Sequence, residues 1–217
     1  MDLERVLADL VQKVDSRFFG KYRGFVVENQ DPELLGRLKV KVPSVLGDQV
    51  VTGWALPCLP YGGAANQGFL FVPEVDAGVW VEFEEGDLEF PVWVGTFWSK
   101  PGGESELPKP DAPDTGKEEG AVQDPPTRKI IKTKAGHTIQ FEDADGSGCV
   151  VIKYRVDDDN SHWVALTQAG ILIKDAKKNS LEMTDSAFTL TSKVAFTLDA
   201  SGQAVEIKGS TIDFTKA

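Results

Sequence analysis

Histidine and cysteine are scarce in this chain of 217 residues, with two of each. Cys58 and Cys149 stand far apart and form no C-x-x-C pair, which argues against a zinc site or a disulfide framework and leaves the redox compartment open. With only His137 and His162, little material exists for a histidine-based catalytic centre. Positive charge is also short: 23 Lys and Arg against 34 Asp and Glu give a net charge of −11. A nucleic-acid binder or a protein held to an anionic membrane surface needs the opposite balance. No run of about 18 apolar residues occurs. The first twenty residues are broken by Asp2, Glu4, Arg5, Asp9, Lys13, Asp15 and Arg17, so no signal peptide is expected and synthesis in a cytoplasm is.

The charge that is present is unevenly spread. Residues 101–126 carry 2 basic and 7 acidic residues, whereas 127–217 carry 12 of each. Ten of the 29 residues from Ser99 to Thr127 are Pro or Gly, and Leu107 is the only large apolar residue between Lys100 and Gly120. Such a segment offers little surface to offset its ordering entropy, so an extended or mobile connector is expected, with a partner-binding strap as the alternative. The division is then an N-terminal helix at 1–20, a β block at 21–99, an acidic Pro/Gly-rich linker at 100–127 and a second β block at 128–217.

Leu3, Val6, Leu7, Leu10, Val11, Val14 and Phe18 recur at spacings of three and four, one face of an amphipathic helix, and Gly20 is a plausible stop. That face packs either on its own domain or on a partner or symmetry mate. From Lys21 to Ser99 the alternation is that of strands: R-G-F-V-V-E-N, G-R-L-K-V-K-V-P, G-W-A-L-P-C, F-L-F-V-P, G-V-W-V-E-F-E and F-P-V-W-V-G-T-F-W, with E-G-D-L-E as a hairpin turn. About five strands in roughly 80 residues suit a small Greek-key OB barrel.

The second block is β throughout, with I-I-K-T-K-A-G-H-T-I-Q-F-E-D-A-D-G-S-G-C-V-V-I-K-Y-R reading as three strands. After Ala169 apolar pairs recur at Ile171/Ile173, Leu181/Met183, Phe188/Leu190, Phe196/Leu198, Val205/Ile207 and Ile212/Phe214, separated by turn chemistry. A period near eight residues makes one strand and one corner, too little for one chain to wind round its own core. Either an antiparallel meander packs its apolar face on something else, or several identical chains wind together. Three chains and three faces close most simply. Six strands per face at ~4.8 Å give about 29 Å of rod. On this reading the block has no interior of its own and folds only on trimerisation.

In this order the elements resemble the central spike, or baseplate assembly protein V, of contractile-tail phages, and the needle of type VI secretion spikes. The resemblance is carried by G-F-V-V-E-N-Q-D-P-E-L-L-G-R-L-K-V-K-V-P (Gly24–Pro43), Trp54-Ala55, V-P-E-V-D-A-G-V-W-V-E-F-E-E-G-D-L-E-F-P-V-W-V-G (Val72–Gly95) and I-K-T-K-A-G-H-T-I-Q-F-E-D-A-D-G (Ile131–Gly146). It implies an all-β fold: an N-terminal helix, an OB barrel and an intertwined trimeric β-helix or prism. It further implies a non-enzymatic homotrimer in a virion or injection-particle baseplate, assembled in the host cytoplasm and puncturing a target envelope. The twelve paired residues from Ile171 to Phe214 become the trimer core. The sequence departs from relatives that carry a lysozyme domain between barrel and needle, an H-x-H iron tip, or a fused hub. The resemblance therefore implies a separate ring-shaped hub, reached through Leu3, Val6, Leu7, Leu10 and Val14, and a PAAR-type tip protein at the C-terminal end. No cofactor, catalytic residue or metal ligand is expected.

Four other features invite chemistry. Asp143–Gly148 faintly resembles a calcium loop but lacks its distal Glu, and a hairpin turn is expected there; Asp157-Asp158-Asp159-Asn160 reads as a solvated loop. Glu82 and Glu84 fall on one face of a strand, so a carboxylate pair for a cell-wall hydrolase is the first rival. Trp54, Trp80, Trp93, Trp98 and Trp163 make a single-strand nucleic-acid binder the second, opposed by four acids and no base in Val79–Asp87.

Overall fold

Alternation of apolar and polar residues produces most of the strands that the sequence predicts. In the computed structural model, which describes residues 4, 6, 7, 11, 14, 16–119 and 126–215, the chain divides into two units, Met1–Glu106 and Leu107–Ala217. The first holds Tyr22–Glu28 (β1), Lys39–Lys41 (β2), Leu56–Pro57 (β3), Gly78–Phe83 (β4) and Pro91–Thr96 (β5), hydrogen-bonded in the order β2-β1-β4-β5-β3. In β4 every second residue is inward: Val79, Val81 and Phe83 are buried. They meet Val26, Leu38, Val40, Val42, Ala55 and Trp93 in one core. Register shifts between Val26 and Glu28 and between Trp80 and Val81 are bulges that bend the sheet.

The turn D-P-E-L-L-G-R is fixed by its own ends. Asp31 accepts from the backbone N–H of Glu33, Leu35 and Arg37 at 3.0, 2.9 and 3.2 Å and takes the Arg37 guanidinium side-on. That guanidinium holds the Asp31 carboxyl well below its usual range, against the opposing pull of burial. The turn places Leu34 at a positive φ of 58° and leaves it 90% exposed. Pro43 starts a single helical turn, Pro43–Leu46 (α1), its fixed φ suiting the first helical position.

One expected strand is absent. F-L-F-V-P folds as a loop, with Phe69, Leu70 and Phe71 all more than half exposed. Its alternation is lost because a continuous apolar run carries no period, and the loop is closed instead by the Phe69 N–H on the Tyr61 carbonyl at 3.0 Å. The E-G-D-L-E hairpin is present as a 3-10 turn at Glu84–Gly86. Phe18 packs against Tyr22 and Phe83 and donates its N–H to the Gly86 carbonyl, so the residues just ahead of β1 close this part of the core.

The second unit is a meander of Arg128–Lys132 (β6), Thr138–Glu142 (β7), Cys149–Arg155 (β8), Ser161–Thr167 (β9), Gly170–Lys174 (β10), Ser180–Met183 (β11) and Phe188–Thr191 (β12). All neighbours are antiparallel and consecutive, from β6 at one edge to β12 at the other. The three strands expected between residues 130 and 155 are β6, β7 and β8. The first three apolar pairs lie on β10, β11 and β12. No strand is described beyond Thr191.

Two expectations about this unit are corrected. It does have a small interior of its own: Val151, Trp163 and Ala165 are buried, with Cys149 and Leu172 packed against them. Nor is the Pro/Gly-rich segment a plain tether over its whole length. Leu107–Glu119 lies on the polar face of the sheet, where Pro110, Asp111 and Ala112 are buried. The physical reason is one charged residue and one aromatic, Lys153 and Trp163, that the strap supplies with partners.

Candidate assembly surface

The meander places its side chains in rows, because directly paired residues of neighbouring strands point to the same face. One row runs Ile131, Ile139, Ile152, Val164, Ile173, Leu181, Leu190 across all seven strands. A second runs Phe141, Val150, Leu166, Ile171, Met183, Phe188. At 4.7–4.9 Å between strands the first row is about 29 Å long and the second about 24 Å, and the apolar band they form covers roughly 400 Å². A patch of that size falls within the range of the largest apolar patch on a typical monomer, which is often functional. Ile131, Ile139, Phe141, Ile152, Leu166, Ile173, Phe188 and Leu190 each keep more than 40% of their surface exposed.

The structure thus brings Ile171, Ile173, Leu181, Met183, Phe188 and Leu190 onto one face. It leaves Phe196, Leu198, Val205, Ile207, Ile212 and Phe214 exposed and outside any strand of this chain. Seven residues of the same face were missed by the sequence reading: Ile131, Ile139, Phe141, Val150, Ile152, Val164 and Leu166. Their signal was available, since T-I-Q-F-E and V-V-I-K-Y carry the same x-Φ-x-Φ spacing as the later pairs. Two residues beyond Ile152 on β8, Tyr154 stacks on His137 at 4.4 Å between ring centroids and leans toward His162 at 6.1 Å. Each imidazole accepts a backbone N–H at Nδ1, from Arg155 and from Ala176.

The opposite face is the more polar of the two and is covered. Asp111 N–H donates to Gln140 Oε1 at 2.8 Å, and Gln140 Nε2 returns a bond to the Asp111 carbonyl at 3.1 Å. The Asp111 carboxylate meets the Lys153 ammonium, with Lys132 Nζ at 3.9 Å. Lys132 also bonds Glu118 at 2.6 Å and holds that carboxyl below its usual range. Trp163 Nε1 donates to the Pro113 carbonyl at 3.1 Å. Gly116, at φ +67°, lies flat on the indole, where a Cβ would sit 3.0 Å from the ring.

At the N-terminus Glu4, Val6, Leu7, Val11 and Val14 are helical, and the four apolar ones are exposed. Leu3 and Leu10, also expected on the hub-facing stripe, lie outside the described residues. In the first unit Leu34, Leu35, Leu70 and Phe71 form further exposed apolar surface. The two loops that carry them abut: a Cβ on Gly36 would stand 3.7 Å from Leu70.

The features that invited chemistry resolve into structure. Glu82 lies in β4 and bonds Lys21 at 2.5 Å, while Glu84 is beyond the strand in the 3-10 turn, so the two do not share a strand face. Asp87 pairs with Arg17 at 2.9 Å. Trp93 is core, with Nε1 donating to the Gly36 carbonyl at 3.1 Å. Trp54 lies under Lys39 and Arg37, but those cations already serve Glu28 and Asp31. Asp143 pairs with Lys129 ahead of a turn closed by Ser147 N–H on the Ala144 carbonyl. Asp157 accepts from its own loop, and its bond from Asn160 holds its carboxyl below the usual range. No group of three or more His, Cys, Asp or Glu side chains is arranged to hold a metal among the described residues. No helix among them is long and apolar enough to cross a membrane.

Comparison with known sequences agrees with the barrel. Residues 22–98 match the family described as the type VI secretion system/phage-baseplate injector OB domain. No curated protein matches the chain. The match begins at the first residue of β1 and ends two residues after β5, so it takes in all five strands and the core they enclose. Residues 22–98, about a third of the chain, are thus an injector OB domain of the type VI secretion and phage-baseplate kind.

Proposed function

We propose that the chain is one third of a central spike. Three copies turn their apolar sheet faces inward, and the spike passes axial load from a contractile sheath to a target envelope. The observation that carries this reading is the pair of apolar rows, seven and six strands long, most of whose residues stay more than 40% exposed in the single chain. Threefold closure gives each Ile152 and Val164 two identical neighbours across an axis, which one chain cannot supply. The strand-poor stretch after Thr191 fits the same reading. Its three remaining apolar pairs have no partner strand in one chain, so winding together of the three chains would complete them. The helix face at Val6, Leu7 and Val14 is the attachment to a separate hub, and a PAAR-type protein would seat on the far end.

Light scattering on the purified chain tests the trimer: the expected mass is about 71 kDa, three times the chain's 23.6 kDa. A well-folded monomer at all concentrations would reject it. Hub attachment is tested by co-purification after removing residues 1–15. The cut must stop short of Phe18, because that ring belongs to the core beside Tyr22 and Phe83. Undiminished hub recovery would reject the helix as anchor.

A further inference from the structure

We infer that the strap Leu107–Glu119 is an assembly latch: it closes the polar face within a single chain before copies meet, leaving only the apolar face open to them. This rests on the trimer proposed above and adds an order of events to it. The strap is itself a small hairpin. Ala112 N–H donates to the Lys117 carbonyl and Glu119 N–H to the Pro110 carbonyl, both at 2.8 Å, and Asp111 pairs with Glu118 across it. Asp111 and Glu118 from the strap face Lys153 and Lys132 from the sheet, a balanced set of four charges. Asp111 is fully buried and the Lys153 side chain is 5% exposed, so neither charge is stable without the other. Asp111 Oδ2 is buried and meets no donor, which leaves the carboxylate dependent on contacts through Oδ1.

Every contact in this lock is intrachain, and its sheet partners lie on β6 to β9. The lock therefore needs no second copy, whereas the apolar rows do. Without the strap, Val151, Trp163 and Ala165 would lie bare on the second face, and the sheet could stack through either side. The latch thus decides which face turns toward the other copies.

Pulse-labelling hydrogen exchange during refolding of the full chain tests this. In wild type the amides of Asp111, Ala112, Gly116 and Glu119 should gain protection first, at a rate independent of chain concentration. Protection in β10 to β12 should follow at a rate that rises with concentration. Asp111→Ala should remove the early phase and slow trimer formation at least tenfold, and the double variant Asp111→Ala/Lys153→Met should recover part of that loss by removing the stranded ammonium. Strap amides protected only in step with trimer formation would overturn the latch, as would an Asp111→Ala chain that assembles at the wild-type rate. A wild-type chain that stays monomeric would overturn the trimer instead. In that sample, early strap protection sustains the intrachain lock and its absence overturns the lock too.

Discussion

Replacing Ile152 by aspartate separates the two faces of the second sheet. In the single chain Ile152 is 50% exposed at the middle of the longer apolar row, between Ile139 and Val164. A carboxylate there stays in water, and a surface change of that kind costs within about 0.5 kcal/mol. Burying the remaining half of an isoleucine contributes roughly 1–1.5 kcal/mol per chain, so a trimer loses about 3–4 kcal/mol of apolar burial. Three carboxylates are also brought toward one axis, each costing several kcal/mol to desolvate. The sum exceeds about 10 kcal/mol, some seven powers of ten in the association constant. Sedimentation or light scattering should therefore find monomer at micromolar concentration, with the barrel's thermal transition retained. Thr189→Asp, on the opposite face of β12 and exposed, is the control and should remain trimeric. An Ile152→Asp chain that assembled like wild type would refute an inward apolar face.

Leu38→Ala should destabilise the barrel by about 2–5 kcal/mol, read as a lower melting temperature, because Leu38 is wholly buried in its core. Glu118 has a folded pKa below its ordinary 4.5, owing first to the Lys132 hydrogen bond. Its contribution is therefore present above that value and lost as pH falls through the lowered one, so acid melts should flatten below about pH 4.5 in Glu118→Gln. Asp31 acts in the same direction below 3.8, through Arg37, and Asp31→Asn should remove its share of the acid sensitivity in the barrel transition. Gly170→Ala should disrupt the β10–β11 pairing, since its Cβ would fall 1.9 Å from the Met183 carbonyl oxygen at φ +142°. Loss of amide protection across β11 is the readout.

Periodicity made the strands legible where one face is buried and the other wet. β1, β4 and β5 announce themselves in this way, as do β7 and β8. The F-L-F-V-P run deceived because four consecutive apolar residues carry no period, and their loop is set by Tyr61 and by glycines at positive φ. The strap was illegible for a different reason. D-A-P-D-T-G-K-E has the composition of a tether, and its burial depends on Lys153 and Trp163, which lie 42 and 50 residues away. The candidate surface was half legible. The pairs from Ile171 stood out by their repetition, while Ile139, Phe141 and Ile152 have the same spacing in strands that read as ordinary sheet. Register, which sets them in line with the later pairs, is a tertiary property.

The two margins of the seven-stranded sheet are unlike. β6 reads R-K-I-I-K, so a chain approaching that margin meets Arg128, Lys129 and Lys132, the charged guard that discourages strand addition. β12 reads F-T-L-T, with no charge and a free row of backbone donors and acceptors. A strand adding to this sheet is therefore expected after Thr191 and not before Arg128. In a spike built as proposed, the chemistry of these two outermost strands would set which end is root and which is point.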